Sequence, residues 1–150
     1  VESMTTLNRD AAGGVRRLPA GMVTACTDVT GFALVGHGSA MAAASGVTLV
    51  VETPALPLLE GALSLAGANT PGGNRTNAAH FGPSVSISAS VSAELQLIAY
   101  DPQTSGGLLL AVDPSATGYL IGQLTNKGVS AHVIGLVAER DAKGVLVRLE

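Results

Sequence analysis

Ala131-His132-Val133-Ile134-Gly135-Leu136-Val137-Ala138 and Gly144-Val145-Leu146-Val147-Arg148-Leu149 are two β-prone runs joined by a polar stretch at 139–143. Their spacing predicts a hairpin closing the chain. Working outward, strands alternate with helices. Leu108-Leu109-Leu110-Ala111-Val112 reads as a strand, and Asp113-Pro114-Ser115 starts a helix that carries Tyr119, Leu120 and Leu124 and stops near Lys127-Gly128. Residues 93–100 read as a short helix and 85–90 as a weak alternating strand. Val47-Thr48-Leu49-Val50-Val51-Glu52 suits a buried strand. The small-residue run 32–45 reads as a helix stopped by Gly46, with a short strand at 22–26 before it. Residues 1–12 read as a helix with Met4, Leu7 and Ala11 on one face, and 58–66 as a helix introduced by Pro54 and Pro57. Residues 71–83 hold too many turn formers for regular structure and read as a long loop. Helix-connected strands followed by a hairpin favour an α+β domain with a mixed β-sheet over a doubly wound parallel one.

Composition narrows the function classes. The 150 residues are 47% hydrophobic, 13% charged and 3% aromatic, which fits one cored domain spanning residues 1–150. A mean hydropathy of +0.42 argues against disorder. No apolar stretch is long enough to span a bilayer, so no membrane partner is expected. The net charge of −3 and the absence of a Lys/Arg cluster leave no footprint for nucleic acid. One cysteine and no signal-like opening segment point to a reducing, cytoplasmic compartment. The first helix reads as if met in mid-course, so the chain is expected to be a piece of something larger, with an apolar face left for a partner. Between Leu18 and Asn126 the only Lys or Arg is Arg75, against Asp28, Glu52, Glu60, Glu94, Asp101 and Asp113. Phosphate chemistry here would need a metal ion, backbone N–H groups or cations from another segment.

Two stretches carry candidate chemistry. Thr27-Asp28-Val29-Thr30-Gly31 places a carboxylate, two hydroxyls and a glycine before a helix, where Asp28 could ligate Mg²⁺ beside a phosphate or could simply cap the helix, as could Thr30. Gln103-Thr104-Ser105-Gly106-Gly107 could turn N–H groups toward an anion, or be an Asp-Pro turn leading into a strand. No Walker loop or dinucleotide fingerprint is present. His37, His80 and His132 lack metal-ligand spacing with each other or with Cys26, which reads as an inert buried thiol. His37 reads as a hydrogen-bonded packing residue.

Thr27-Asp28-Val29-Thr30-Gly31-Phe32 with Gly36-His37, and Asp101-Pro102-Gln103-Thr104-Ser105-Gly106-Gly107-Leu108-Leu109, resemble the two signature stretches of the C-terminal domain of selenophosphate synthetases. Met4-Thr5-Thr6-Leu7-Asn8-Arg9 and the Pro71-Gly72-Gly73 segment extend the likeness over nearly the whole chain. The resemblance implies a layered α/β/α domain with a mixed sheet, like that of aminoimidazole ribonucleotide synthetase. It also implies an ATP-dependent dikinase converting selenide, ATP and water into selenophosphate, AMP and phosphate, with Mg²⁺ and ATP bound between domains of a homodimer. The catalytic cysteine or selenocysteine, its lysine and most metal aspartates would lie in an N-terminal domain absent here, leaving this chain inactive alone. Asp28 matches the family's metal aspartate, whereas Cys26 does not match its cysteine. Thr30, Gly31, Asn77, Gln103, Thr104, Ser105, Gly106 and Gly107 would form the nucleotide or substrate loops. Departures occur at Ala33, where the family has glycine, at Gly38-Ser39-Ala40, where it has two leucines and a glutamate, and at Arg75, one place early. A non-catalytic interaction or oligomerisation domain, or a related ATP-dependent synthetase or kinase, is the alternative.

Overall fold

Val47–Val51 has no polar interruption beyond Thr48, and such a strand is stable only where both faces are covered. In the computed structural model, which describes residues 2–150, it takes an interior position. This strand, β2, lies within a four-stranded sheet of order β3-β6-β2-β5, where β3 is Val85–Ile87, β5 is Gly135–Glu139 and β6 is Val147–Leu149. It pairs antiparallel with β5, Val47 opposite Glu139 and Val51 opposite Gly135, and parallel with β6, Leu49 opposite Val147. Strand β3 runs parallel to β6. The sheet is mixed and the fold α+β, as the sequence suggests, but β5 and β6 form no hairpin.

The reason is competition for an edge. β2 offers two unpaired edges and an apolar interior, so the two closing strands take one edge each and the intervening chain crosses its end. Thr48 holds that crossing: its Oγ1 donates to Val145 O at 2.7 Å and accepts from Asp141 N at 2.9 Å. Asp141 Oδ1 accepts from Lys143 N at 2.7 Å, and Oδ2 pairs with Arg148 at 3.0 Å. Gly135 is required because a Cβ there would land on Val50 O of the adjoining strand.

The remaining strands stand apart. β1 (Val23–Asp28) and β4 (Leu108–Val112) form a separate antiparallel two-stranded ribbon, with Asp28 opposite Leu108 and an irregularity between Val23 and Ala25. Helix α3 (Ala33–Ser45) packs against β1, β2 and β6 and ends at Gly46 in the left-handed conformation (φ 67°), as predicted. An apolar cavity of about 680 Å³ is lined by Leu34, Leu49, Leu109, Leu120 and Ile134, among others.

The other helices depart from expectation in instructive ways. The opening helix is two, α1 (Glu2–Thr5) and α2 (Arg9–Val15), because the Thr5-Thr6 pair and Asn8 disfavour continuous helix; Val1 lies outside the described residues. Gly14 of α2 lets α7 (Pro114–Thr125) approach: a Cβ would meet Leu124 Cδ2 at 2.7 Å. Helix α4 is only Ala62–Ala66, shortened by Gly61 at φ 79°. The expected loop at 71–83 is mostly helix α5 (Gly72–Phe81), followed by a short 3-10 turn at Gly82–Ser84. Its polar residues are not turn formers here. Asn74 and Asn77 are buried with their amides donating to other elements, and Phe81 fills the space left by Gly36 of α3. α6 is Ala93–Ala99, capped by Ser92, whose hydroxyl accepts from Leu95 N. Leu59, Leu63, Leu65, Val133, Leu136 and Val137 are exposed apolar residues.

Candidate functional site

The two signature stretches meet at the end of the ribbon. Because Asp28 and Leu108 are the final pair of the β1–β4 ladder, the chain leaving β1 and the chain entering β4 emerge side by side. The contact continues beyond the strands. Val29 N donates to Gly107 O at 3.0 Å, Gly106 N to Val29 O at 2.9 Å, and Gln103 N to Thr30 O at 3.1 Å. Gly106 must be glycine, since a Cβ would lie 2.9 Å from Val29 O, and Gly107 adopts φ 80°. Asp28 and the 103–107 loop therefore share one rim.

The same bonds narrow one expectation. The N–H groups of Gln103 and Gly106 are spent on the neighbouring loop, so they are not free to turn toward an anion. Thr104 is exposed and Ser105 half-buried. Gln103 Nε2 donates to Asp101 Oδ2 at 2.7 Å. Burial raises the Asp101 pKa, and this hydrogen bond works against the rise.

Asp28 and Thr30 are not helix caps. Phe32 occupies the cap position of α3, with no side-chain cap bond, while Asp28 ends a strand. Its carboxylate is exposed and accepts no hydrogen bond from the described residues. It keeps the full oxygen-ligand capacity of a carboxylate. Thr30 Oγ1 lies 3.0 Å from His37 Nε2, so His37 is a hydrogen-bonded neighbour of the rim, and Phe32, 62% exposed, leans on His37 and edge-on against Phe81.

Asn77 reaches the rim from within. It is buried on α5, and its Nδ2 donates to Gly31 O at 3.0 Å and to Tyr100 O at 3.2 Å. Asn77 thus lies in a helix rather than in a loop, and both hydrogens of its amide are used inside the protein. The sequence signal that could have found this is the Asn74/Asn77 spacing, one helical turn apart on one face. Arg75, between them, is exposed and makes no ion pair with the described residues.

Ala33 begins α3 at φ 64°, fully buried, in the left-handed region that a residue without a Cβ occupies at less cost. Cys26 also needs correction. It is exposed, because alternate residues of β1 face outward, and it lies on the same strand face as Asp28. Partial desolvation raises its thiol pKa, and the negative charge of Asp28 raises it further. Among the described residues no three His, Cys, Asp or Glu side chains gather as a metal cluster. No described helix is long and apolar enough to cross a membrane.

Comparison with known proteins bears on nearly the whole chain. The family described as AIR synthase related protein, C-terminal domain, matches residues 2–148. Among curated relatives, the selenide, water dikinase of Nitratidesulfovibrio vulgaris is 42% identical over 144 residues, covering 95% of this chain and 40% of the relative. That of Geobacter metallireducens is 40% identical over 133 residues (88% and 38%), and that of Caldanaerobacter subterraneus subsp. tengcongensis 37% over 150 (99% and 42%). The chain spans about two fifths of the length of these relatives.

Proposed function

Because the chain belongs to the AIR synthase related protein C-terminal domain family, we propose that it supplies one half of the Mg²⁺-ATP site of a selenophosphate synthetase. The overall reaction would convert selenide, ATP and water into selenophosphate, AMP and orthophosphate. The observation that carries this reading is the shared rim: an exposed Asp28 whose side chain is unbonded, beside a glycine-containing loop tied to the adjoining Val29 and Thr30 by three backbone hydrogen bonds. That these relatives are selenide, water dikinases supports the choice of reaction.

Asp28 fits a hard cation as one oxygen ligand, and Mg²⁺ bound there would neutralise phosphate charge. One carboxylate is too little for tight binding, so further oxygens would come from the nucleotide, from water and from an N-terminal domain. This chain's own contribution is to place Asp28 at a fixed distance from the 103–107 loop and to keep Thr30 oriented through His37. The stretches 27–32 and 101–107 contain no Lys or Arg, so the cations that hold polyphosphate would also come from that domain. In this reading the whole protein is a cytoplasmic homodimer, and the chain alone releases no AMP.

The test is Asp28→Asn in the full-length protein. AMP formation from ATP and selenide should fall at least ~100-fold, the scale of losing one preorganised electrostatic contact. The unfolding midpoint should stay within error, because the carboxylate bonds nothing in the fold. Normal turnover by this variant, or AMP release by the isolated chain, would overturn the assignment.

A further inference from the structure

We infer that Asn77 is a positioning residue, an amide latch that fixes the Asp28 segment against the 101–107 loop. The inference rests on reading this rim as half of a nucleotide site, but its structural basis is independent of the substrate. Asn77 is 5% exposed and stands on α5, outside both loops. Its two neighbours, Gly31 O and Tyr100 O, are carbonyls that can only accept, so the amide nitrogen must face them and each of its hydrogens serves one. One acceptor lies within the first signature stretch, three residues after Asp28, and the other immediately precedes the second. A single side chain thus spans the places where the two loops depart from the body of the domain. The backbone bonds between the loops hold them to each other, whereas Asn77 holds both to α5.

The geometry of the peptide unit adds a consequence. A carbonyl drawn inward turns the N–H of the same peptide plane the opposite way. With Gly31 O held by Asn77 Nδ2, the Phe32 N–H is turned away from α5. Thr30 O is likewise engaged, by Gln103 N and Ala33 N, which turns the Gly31 N–H away from those two donors. Releasing Asn77 frees the first of these peptide planes to rotate and loosens the loop that presents Asp28.

Asn74 provides the internal control. It is 3% exposed on the same helix, and its Nδ2 donates to Leu97 O at 2.6 Å, a carbonyl of α6 that belongs to neither loop. Asn74→Ala and Asn77→Ala each remove a buried amide from α5, with one hydrogen bond and two respectively, so a purely structural role predicts consequences that track lost stability at both positions. A latch predicts different ones. In the full-length protein, hydrogen exchange at the Val29, Gln103 and Gly106 amides should quicken at least ~10-fold in Asn77→Ala and stay at the wild-type rate in Asn74→Ala. The kcat for AMP formation should fall ~10- to 100-fold in Asn77→Ala, the scale of a reacting group misplaced by about 1 Å, with KM for ATP changed by less than ~3-fold. Asn74→Ala should keep its kcat per folded molecule. Asn77→Asp, which matches the shape but cannot donate when ionised, should behave as Asn77→Ala. Equal exchange in the two alanine variants, wild-type exchange in Asn77→Asp, or loss of the fold in both Asn77 variants would overturn the latch. A wild-type protein inactive on selenide would instead sink the functional reading, with the exchange comparison still deciding the role of Asn77.

Discussion

The four-stranded sheet and the two-stranded ribbon are held by different forces. In the sheet, Leu49, Val50, Val51, Val147 and Leu149 are all at most 8% exposed, so burial of aliphatic side chains fixes strand order. In the ribbon, β4 is half-buried throughout and β1 alternates between half-buried and exposed. A ribbon of this size is marginal alone. It is secured at its end instead, by backbone bonds between loops and by Asn77. The difference teaches that the sheet carries the stability, whereas the ribbon presents the rim where the candidate chemistry gathers.

The largest effect that would test this contrast is core truncation. Leu149→Ala, at a position with no exposure, should cost roughly 2–5 kcal/mol in urea unfolding, while Leu109→Ala in β4 should cost no more than about half as much. Equal losses would erase the division between a load-carrying sheet and a site-bearing ribbon. Ala33→Gly sharpens it at the junction where the chain turns from the rim into α3. Relief of about 1–2 kcal/mol of left-handed strain is opposed by loss of a buried methyl worth about 0.8 kcal/mol. A net stabilisation of about 0.2–1.2 kcal/mol is expected from thermal unfolding, and a net loss would mean the methyl matters more than the backbone. The smallest effect concerns Cys26, which reports the charge at the rim. Its thiol pKa is raised by desolvation and by Asp28, so iodoacetamide alkylation should show a pH midpoint above that of an ordinary thiol. Removing the carboxylate charge in Asp28→Asn should stabilise the thiolate relative to wild type and move that midpoint down. An unmoved midpoint would separate the two side chains electrostatically.

Much of this architecture was legible in the residues, and the misses share a cause. The strands at 47–52 and 108–112, the helix stop at Gly46 and the helix start at Asp113-Pro114 follow from local chemistry that tertiary packing did not contest. The hairpin failed because strand pairing is decided by which edge is free, and β2's edges are not visible in the spacing of β5 and β6. Residues 71–83 failed because asparagine and glycine are poor helix formers only when nothing else uses them; buried amide bonds and the Gly36–Phe81 contact outweigh propensity. At the site, each of the two candidate stretches was legible from its own carboxylate, hydroxyls and glycines, and the pairing of β1 with β4 is what brings them together. What remained hidden was that Gly106 serves the loop contact, that Asn77 works from behind, and that Cys26 faces outward.

The insertion of β6 between β2 and β3 also sets an order of events during synthesis. Thr48 and Val145, which meet at the crossing, are 97 residues apart in sequence, so the sheet cannot close until the region around β6 has left the ribosome. Before then β2 and β3 are separated by an open slot whose natural filler has not been made. Closing so long a loop is slow compared with forming local helices. During that interval the apolar strand Val47–Val51 is open to pairing with other chains. The fold's centre is thus the part completed late, and a nascent chain stalled short of Val147 would be a substrate for chaperones rather than a smaller version of the domain.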